Sequence, residues 1–304
     1  MKNDIIPLVS ICCITYNHEK YIQKCLDGFF MQKTNFPFEI LIHDDASTDN
    51  TQQIIKDYQR KYPHVIKPIF QHENQYSKGV KILFSYLYTK VRGKYIALCE
   101  GDDCWIDPLK LQKQIDFLEG HPDYGLIHTQ CQVTNLKTGK ISTEIRNCID
   151  GQPINELLLG VFYIATLTVC FRTILLTQID KSYLKENFLM GDYPMWLEIV
   201  RICKIKYIND VTSNYNIREG SLSHKVDKKE NLIFYINVRD IRLYFIKKYN
   251  YMSVYNKIYK EKTYYMSLYY ALDNKIIKSI FFLLRSKHYS ILNIFTFLKH
   301  IYYK

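Results

Sequence analysis

Apolar positions along the first 120 residues alternate between two patterns. Residues 8–14 form an almost unbroken apolar run, which reads as a strand buried on both faces. Thr15-Tyr16-Asn17-His18 breaks it with turn-forming residues, and Tyr21, Ile22, Cys25, Leu26 and Phe29 then recur at helical spacing. Residues 38–43 predict a second strand, followed by a helix carrying Ile54, Ile55 and Tyr58. Residues 65–70 predict a third strand, 71–79 a polar loop, and 80–91 a helix with Leu83, Phe84, Leu87 and Tyr88. Residues 95–99 have no alternation and predict a central buried strand, after which Pro108 is placed to start a helix bearing Leu109, Leu111, Ile115 and Leu118. The resulting β-α-β-α-β-α-β-α order predicts an α/β fold, a mainly parallel sheet with helices on both faces.

Past Pro122 the pattern changes. Residues 124–133 and 163–172 read as strands separated by a Gly/Asn/Thr-rich loop, 195–203 as a helix, 205–208 and 213–217 as short strands, and 218–224 as a polar loop. The remainder alternates aromatic and basic residues and predicts several helices. Charge marks the same boundary. Residues 1–224 balance 25 Lys+Arg against 25 Asp+Glu, whereas 225–304 hold 16 against 5, so the whole net charge of +11 lies in the last quarter. We therefore expect a domain over 1–224 and a basic, Tyr-rich helical region over 225–304. Its cationic helices either lie on an anionic membrane surface or form an ordinary helical cap with solvated lysines.

The chemistry concentrates where strands end. The central strand stops at Glu100-Gly101-Asp102-Asp103-Cys104-Trp105, three carboxylates around one glycine. Gly101 allows a tight turn and leaves room for something bulky close by. Carboxylates this close raise one another's pKa unless a cation lies between them, and a divalent metal shared with a phosphate resolves the repulsion; an acidic turn capping the next helix is the plainer alternative. The second strand ends in Asp44-Asp45-Ala46-Ser47-Thr48-Asp49. Ser47, Thr48 or Asp49 can cap the following helix, which leaves Asp44 and Asp45 unexplained. In open α/β sheets this carboxyl edge is where ligands bind.

Three motifs, Val9-Ser10-Ile11-x-x-Ile14-Thr15-Tyr16-Asn17 with Tyr21-Ile22, Asp44-Asp45-Ala46-Ser47-Thr48-Asp49, and Gly93-Lys94-Tyr95-Ile96-Ala97-x-x-Glu100-Gly101-Asp102-Asp103-x-Trp105, occur in the order and spacing of one family over about residues 8–120. The chain resembles the inverting family 2 glycosyltransferases of GT-A fold, as used in bacterial surface-polysaccharide synthesis. Gly191-Asp192 and Tyr215-x-x-Arg218-x-Gly220-Ser221-x-Ser223 look like the family's later motifs. The resemblance implies a nucleotide-sugar donor, commonly a UDP sugar, a glycan or lipid-linked acceptor, and a divalent metal, Mn2+ or Mg2+. It implies that Thr15 and Asn17 line the nucleotide pocket, that Asp45 meets the uracil edge while Asp44 supports the turn, and that Glu100-x-Asp102 stands for the family's Asp-x-Asp, with Asp102 the metal ligand and Asp103 beside it.

Such a reaction needs charge neutralised on the departing diphosphate and a base for the attacking hydroxyl. Asp192 is the expected base, because it opens a helix after a loop and matches the later acidic position; helix capping is the structural alternative, and Asp180, Glu186 and Glu198 are the reserve candidates. Arg218 and His224 either hold the diphosphate or are plain surface residues. Trp105 either stacks on a sugar or packs in the core.

Rival functions fit less well. A nucleic-acid-binding protein would explain the basic Tyr-rich end but not an acidic sheet edge, which repels phosphates, so no nucleic-acid partner is expected. A sugar-nucleotide pyrophosphorylase would want a Gly-rich loop where Thr15-Tyr16-Asn17-His18 stands. A catalytically dead sugar-nucleotide binder is the third. Nine cysteines without a Cys-x-x-Cys, several of them in strand-like runs, predict buried free thiols in a reducing compartment. With no signal-like N-terminus and no run of about 18 uncharged apolar residues, a cytoplasmic protein, soluble or attached to the inner membrane face, is expected.

Overall fold

The computed structural model describes residues 6–143, 149–218 and 226–286. Its strands are β1 (Val9–Thr15), β2 (Phe38–Asp44), β3 (Ile66–Phe70), β4 (Tyr95–Leu98), β5 (Cys104–Trp105), β6 (Tyr124–Asn135), β7 (Ile141–Thr143), β8 (Cys170–Arg172) and β9 (Lys204–Ile217). The helices are α1 (Ile22–Phe30), α2 (Thr51–Lys61), α3 (Lys110–Gly120), α4 (Ile154–Leu159), α5 (Leu175–Gln178), α6 (Asp192–Ile202), α7 (Lys228–Lys248), α8 (Tyr255–Leu272) and α9 (Ile276–Ser286). The sheet runs β3-β2-β1-β4-β8-β6-β9-β5, with β7 on the outside of β6. The first four strands are mutually parallel, and β8 turns the direction by pairing antiparallel with β4. The α/β class and the helical C-terminal region are thus as the pattern predicts.

Packing divides the chain into two units. The first holds Met1–Pro153, Phe162–Lys185 and Gly191–Asn216, and the second holds Ile154–Val161, Glu186–Met190 and Ile217–Lys304. In the first unit β1, β2 and β4 are buried along their lengths, which is why their sequences lack alternation. Ile22, Cys25, Leu26 and Phe29 of α1 and Leu111, Ile115 and Leu118 of α3 join that core. Eight cysteines in the described residues are free thiols, and all but Cys203 are buried.

Three elements differ from the pattern. Residues 80–91 form a π-helical turn at Leu83–Leu87 and a 3-10 turn at Tyr88–Lys90 rather than one α-helix. Tyr86 packs on His43 at 4.9 Å while Phe84 meets both Tyr88 and Tyr183, and the wider turn serves contacts on more than one side. Of 163–172 only Cys170–Arg172 is strand. Side chains claim the preceding carbonyls: Trp105 Nε1 donates to Leu167 O (2.9 Å) and Gln114 Nε2 to Thr168 O (2.8 Å), so Thr166–Thr168 closes as a 3-10 turn. Residues 205–208 and 213–217 are parts of a single strand, β9, which carries Asn209 and Asp210 within it.

In the second unit Asp227 caps α7 by accepting from the amides of Lys229 and Glu230. Much of the basic-aromatic alternation is spent internally. The Arg239 guanidinium lies 4.5 Å over Tyr265 and also pairs with Glu261, which Arg242 approaches as well. Among the described residues no helix is long and apolar enough to cross a membrane.

Two tests follow from the packing. A Cβ on Gly28 of α1 would stand 2.8 Å from the Trp105 carbonyl oxygen, a backbone atom that cannot step aside. Gly28→Ala should therefore cost about 1–3 kcal/mol despite its helix-propensity gain of roughly 1 kcal/mol, read as a fall in denaturation midpoint. Lys110 is wholly buried, with its ammonium 4.3 Å over the Trp105 ring and one hydrogen bond, to Gln114 Oε1 (2.8 Å). Burial pushes its pKa down to about 8, partly countered by Cys170, Cys99 and Asp107. Since the unfolded chain binds the proton more tightly, this destabilisation is complete below pH 8 and fades toward the unfolded value near 10.5. Lys110→Met should raise stability at pH 7 by about 1–3 kcal/mol and abolish that alkaline rise in denaturant titrations.

Candidate active site

Parallel pairing brings the acidic segments to one edge. Thr15 stands opposite Asp44, and Cys12 opposite Leu98, so the chains leaving β1, β2 and β4 emerge side by side. The first two are clasped together. Asn17, in the left-handed region at φ 54°, donates its amide to Ser47 Oγ (2.8 Å) and accepts from the Thr48 amide through Oδ1 (2.8 Å). The His18 amide donates to Thr51 Oγ1, and the Glu19 amide to Asp49 Oδ2. Asp49 also accepts from the amide and hydroxyl of Thr51 at the start of α2.

Asp44 and Asp45 divide their work. Asp44 is fully buried and accepts from the Ser47 amide and hydroxyl and from Gln52 Nε2, which closes the turn. Asp45 accepts the backbone amides of Gln75 and Tyr76, one on each oxygen (2.8 and 3.0 Å), and is itself buried. It anchors the 71–79 loop, and a uracil edge would have to share those oxygens. Thr15 is also buried, beneath the acidic turn, and its Oγ1 has no hydrogen-bond partner among the described residues.

Close packing engages Gly101, Asp103 and Trp105. Gly101 leaves no room for a bulky neighbour: a Cβ there would meet Thr15 Oγ1 at 2.7 Å and His18 Nδ1 at 3.1 Å, so the glycine is required by close packing. Asp103 is buried and accepts the Asn216 amide (2.8 Å), while Asn216 Nδ2 donates to the Asp102 carbonyl (2.6 Å), so it straps the turn to β9. Trp105 does not present a face to a sugar. It is 2% exposed, meets Phe29 edge-on at 4.8 Å and carries the Lys110 ammonium, because β5 places it inside the core beneath α1.

Three carboxylates remain gathered at the lip. The Asp102 side chain is 15% exposed and lies 3.5 Å from His18 Nε2. Asp192 is the first residue of α6, half-buried, and accepts from Thr166 Oγ1 (2.7 Å). Glu100 feels both: burial, then the negative charges of Asp192 and of Asp102, push its pKa up to about 8. Glu100 and Thr166 line a cleft with Cys12, Ile14, Leu83 and Leu98. Among the described residues no group of three or more His, Cys, Asp or Glu is arranged to hold a metal alone. One or two hard carboxylates whose mutual repulsion calls for a cation do fit Mn2+ or Mg2+ completed by phosphate oxygens.

Sequence reasoning missed His18 and Thr166. His18 directly follows the first motif and was legible as a turn residue; Thr166 carries no local signal. Arg218 is half-buried at the start of the second unit, and His224 lies outside the described residues.

The geometry has known counterparts. An uncharacterized protein of Mycobacterium tuberculosis is 50% identical over 115 residues, 38% of this chain, and the chain spans only 32% of that relative's length. Among solved structures, S. aureus TarS in complex with UDP-GlcNAc has a TM-score of 0.58 at 17% identity, covering 89% of each chain. The mannosyltransferase PcManGT from Pyrobaculum calidifontis, in complex with GDP-Man and Mn2+, has a TM-score of 0.55 at 15% identity, covering 97% of this chain and 79% of its own. These likenesses establish the GT-A fold. Residues 10–176, more than half of the chain, match the family described as Glycosyl transferase family 2, and the protein belongs to that family.

Proposed function

We propose that the protein transfers a sugar, with inversion, from a UDP-sugar to a hydroxyl of a glycan or lipid-linked acceptor in cell-surface polysaccharide synthesis. The observation that carries this reading is the convergence of Glu100, Asp102 and Asp192, whose charges act on one another, with Glu100 and the Asp192 partner Thr166 both lining the cleft. Like charges gathered in one half-buried place destabilise one another unless a ligand uses them. Solved proteins of this fold that hold UDP-GlcNAc, or GDP-Man with Mn2+, support a nucleotide-sugar donor.

In this reading Asp102 holds a divalent cation, which when bound neutralises charge on the departing diphosphate. Asp192 takes the proton of the acceptor hydroxyl, its carboxylate held in place by the Thr166 hydroxyl on Oδ2 and the Tyr193 amide on Oδ1. The fork of loops pinned by Asn17, Asp44 and Asp45 forms the floor for the nucleotide. Arg218 and His224 are assigned to the diphosphate, since guanidinium and imidazolium donors suit its oxygens.

Screening nucleotide sugars by UDP release, with manganese and with chelator, tests the reading; no release from any donor would leave a binding protein. Asp102→Ala should lower manganese-dependent donor hydrolysis by roughly two orders of magnitude or more, and unchanged turnover would refute the metal assignment. Asp192→Ala should reduce transfer by about 10²–10⁴-fold while UDP affinity, measured calorimetrically, stays within about twofold. Asp103→Ala should instead lower thermal stability, by about 1–3 kcal/mol, as expected of a strap.

The acid cluster also sets a pH dependence. With Glu100 at about 8, cation binding must displace its proton at neutral pH. Manganese affinity in the presence of UDP should strengthen from pH 6 to pH 8 and then level, and Glu100→Gln should flatten the profile.

A further inference from the structure

Helix α9 is turned inside out for a protein in water. Its buried positions are Ser279, Leu283 and Ser286, whereas Ile277 is 86% exposed, Leu284 63% and Phe281 50%. The outward residues 277, 281 and 284 recur at helical spacing and make one stripe. The helix packs on α8, whose buried positions include the small residues Thr263, Ser267 and Ala271, spaced four apart. The hydroxyls there are satisfied by backbone: Ser279 Oγ donates to Ser267 O (2.9 Å), and Ser286 Oγ to Leu283 O (2.6 Å). Small and hydroxyl residues between helices with large apolar residues outside is the arrangement of helices whose surroundings are lipid, where apolar surface gains nothing by facing inward.

The charges identify which lipid surface. α9 has Lys278 and Arg285 and no acidic residue, and the Arg285 guanidinium lies 4.6 Å over Phe281, poised beside the stripe. The surrounding stretch 225–304 carries 16 Lys+Arg against 5 Asp+Glu. Ile277, Phe281 and Leu284 and the two cations are all on the outward side of α9, opposite its buried serines, the arrangement of a helix lying along a lipid surface.

We propose that α9 is a membrane-docking helix, its Ile277–Phe281–Leu284 stripe seated at the headgroup-acyl boundary of an anionic bilayer while Lys278 and Arg285 reach the lipid phosphates. This stands on the second unit alone and does not depend on the transferase chemistry. The test is flotation of the full chain with phosphatidylcholine vesicles, with and without phosphatidylglycerol. Binding should require the anionic lipid and weaken with salt. Ile277→Glu/Leu284→Glu and, separately, Lys278→Glu/Arg285→Glu should each reduce binding about tenfold or more, with circular dichroism unchanged. Ile277→Trp should be quenched by brominated lipid acyl chains. The proposal is overturned if the apolar pair leaves vesicle binding intact, which is the result if residues 287–304 cover the stripe. It is equally overturned if that pair instead lowers the solution mass, making a second copy the occupant, or if Ile277→Trp is not quenched.

Discussion

The arrangement depends on the parallel register of β1 between β2 and β4. Because Thr15 stands opposite Asp44 and Cys12 opposite Leu98, three chain segments leave the sheet at one edge within reach of one another. These strands are buried along their lengths, and Ser10 Oγ donates to Glu39 Oε1 (2.7 Å), the residue opposite it on β2, a polar pair inside the strands that matches the register. Once it is fixed, side chains pin the emerging loops: Asn17 to Ser47 and Thr48, Glu19 to Asp49, and Asp45 to the amides of Gln75 and Tyr76.

The same edge shows how one acidic run serves two purposes. Asp44, Asp45 and Asp103 spend their oxygens on backbone amides and hydroxyls and are buried. Glu100, Asp102 and Asp192 stand close enough for their charges to act on one another, which raises the Glu100 pKa. A carboxylate satisfied by amides builds the turn; one left facing other carboxylates is available to a cation or a proton. His18 lies beside Asp102, and the Thr166 hydroxyl donates to Asp192.

The second unit follows another rule. Its helices use Arg-Tyr stacking and ion pairs such as Arg239 with Tyr265 and Glu261 to order a basic, aromatic surface, and α9 keeps its serines inside. Composition alone leaves membrane contact and an ordinary helical cap open there, whereas the structure shows which side chains of α9 are turned outward.

The amino-acid sequence by itself determined strands β1 to β4 and helices α1, α2 and α3, the polar edge of the sheet, the free thiols and the family, since all of these rest on local periodicity and on motifs of adjacent residues. Tertiary structure alone decided which acid does what. Asp102 and Asp103 are neighbours in the chain, yet one faces His18 and the other β9, 113 residues further on. It also decided that Trp105 is core, that Thr166 belongs beside Asp192, and that 163–172 is mostly not strand. Each of these turns on hydrogen bonds or contacts made across long stretches of chain, such as Trp105 to Leu167 and Asn216 to Asp103, and no window of local sequence contains both partners.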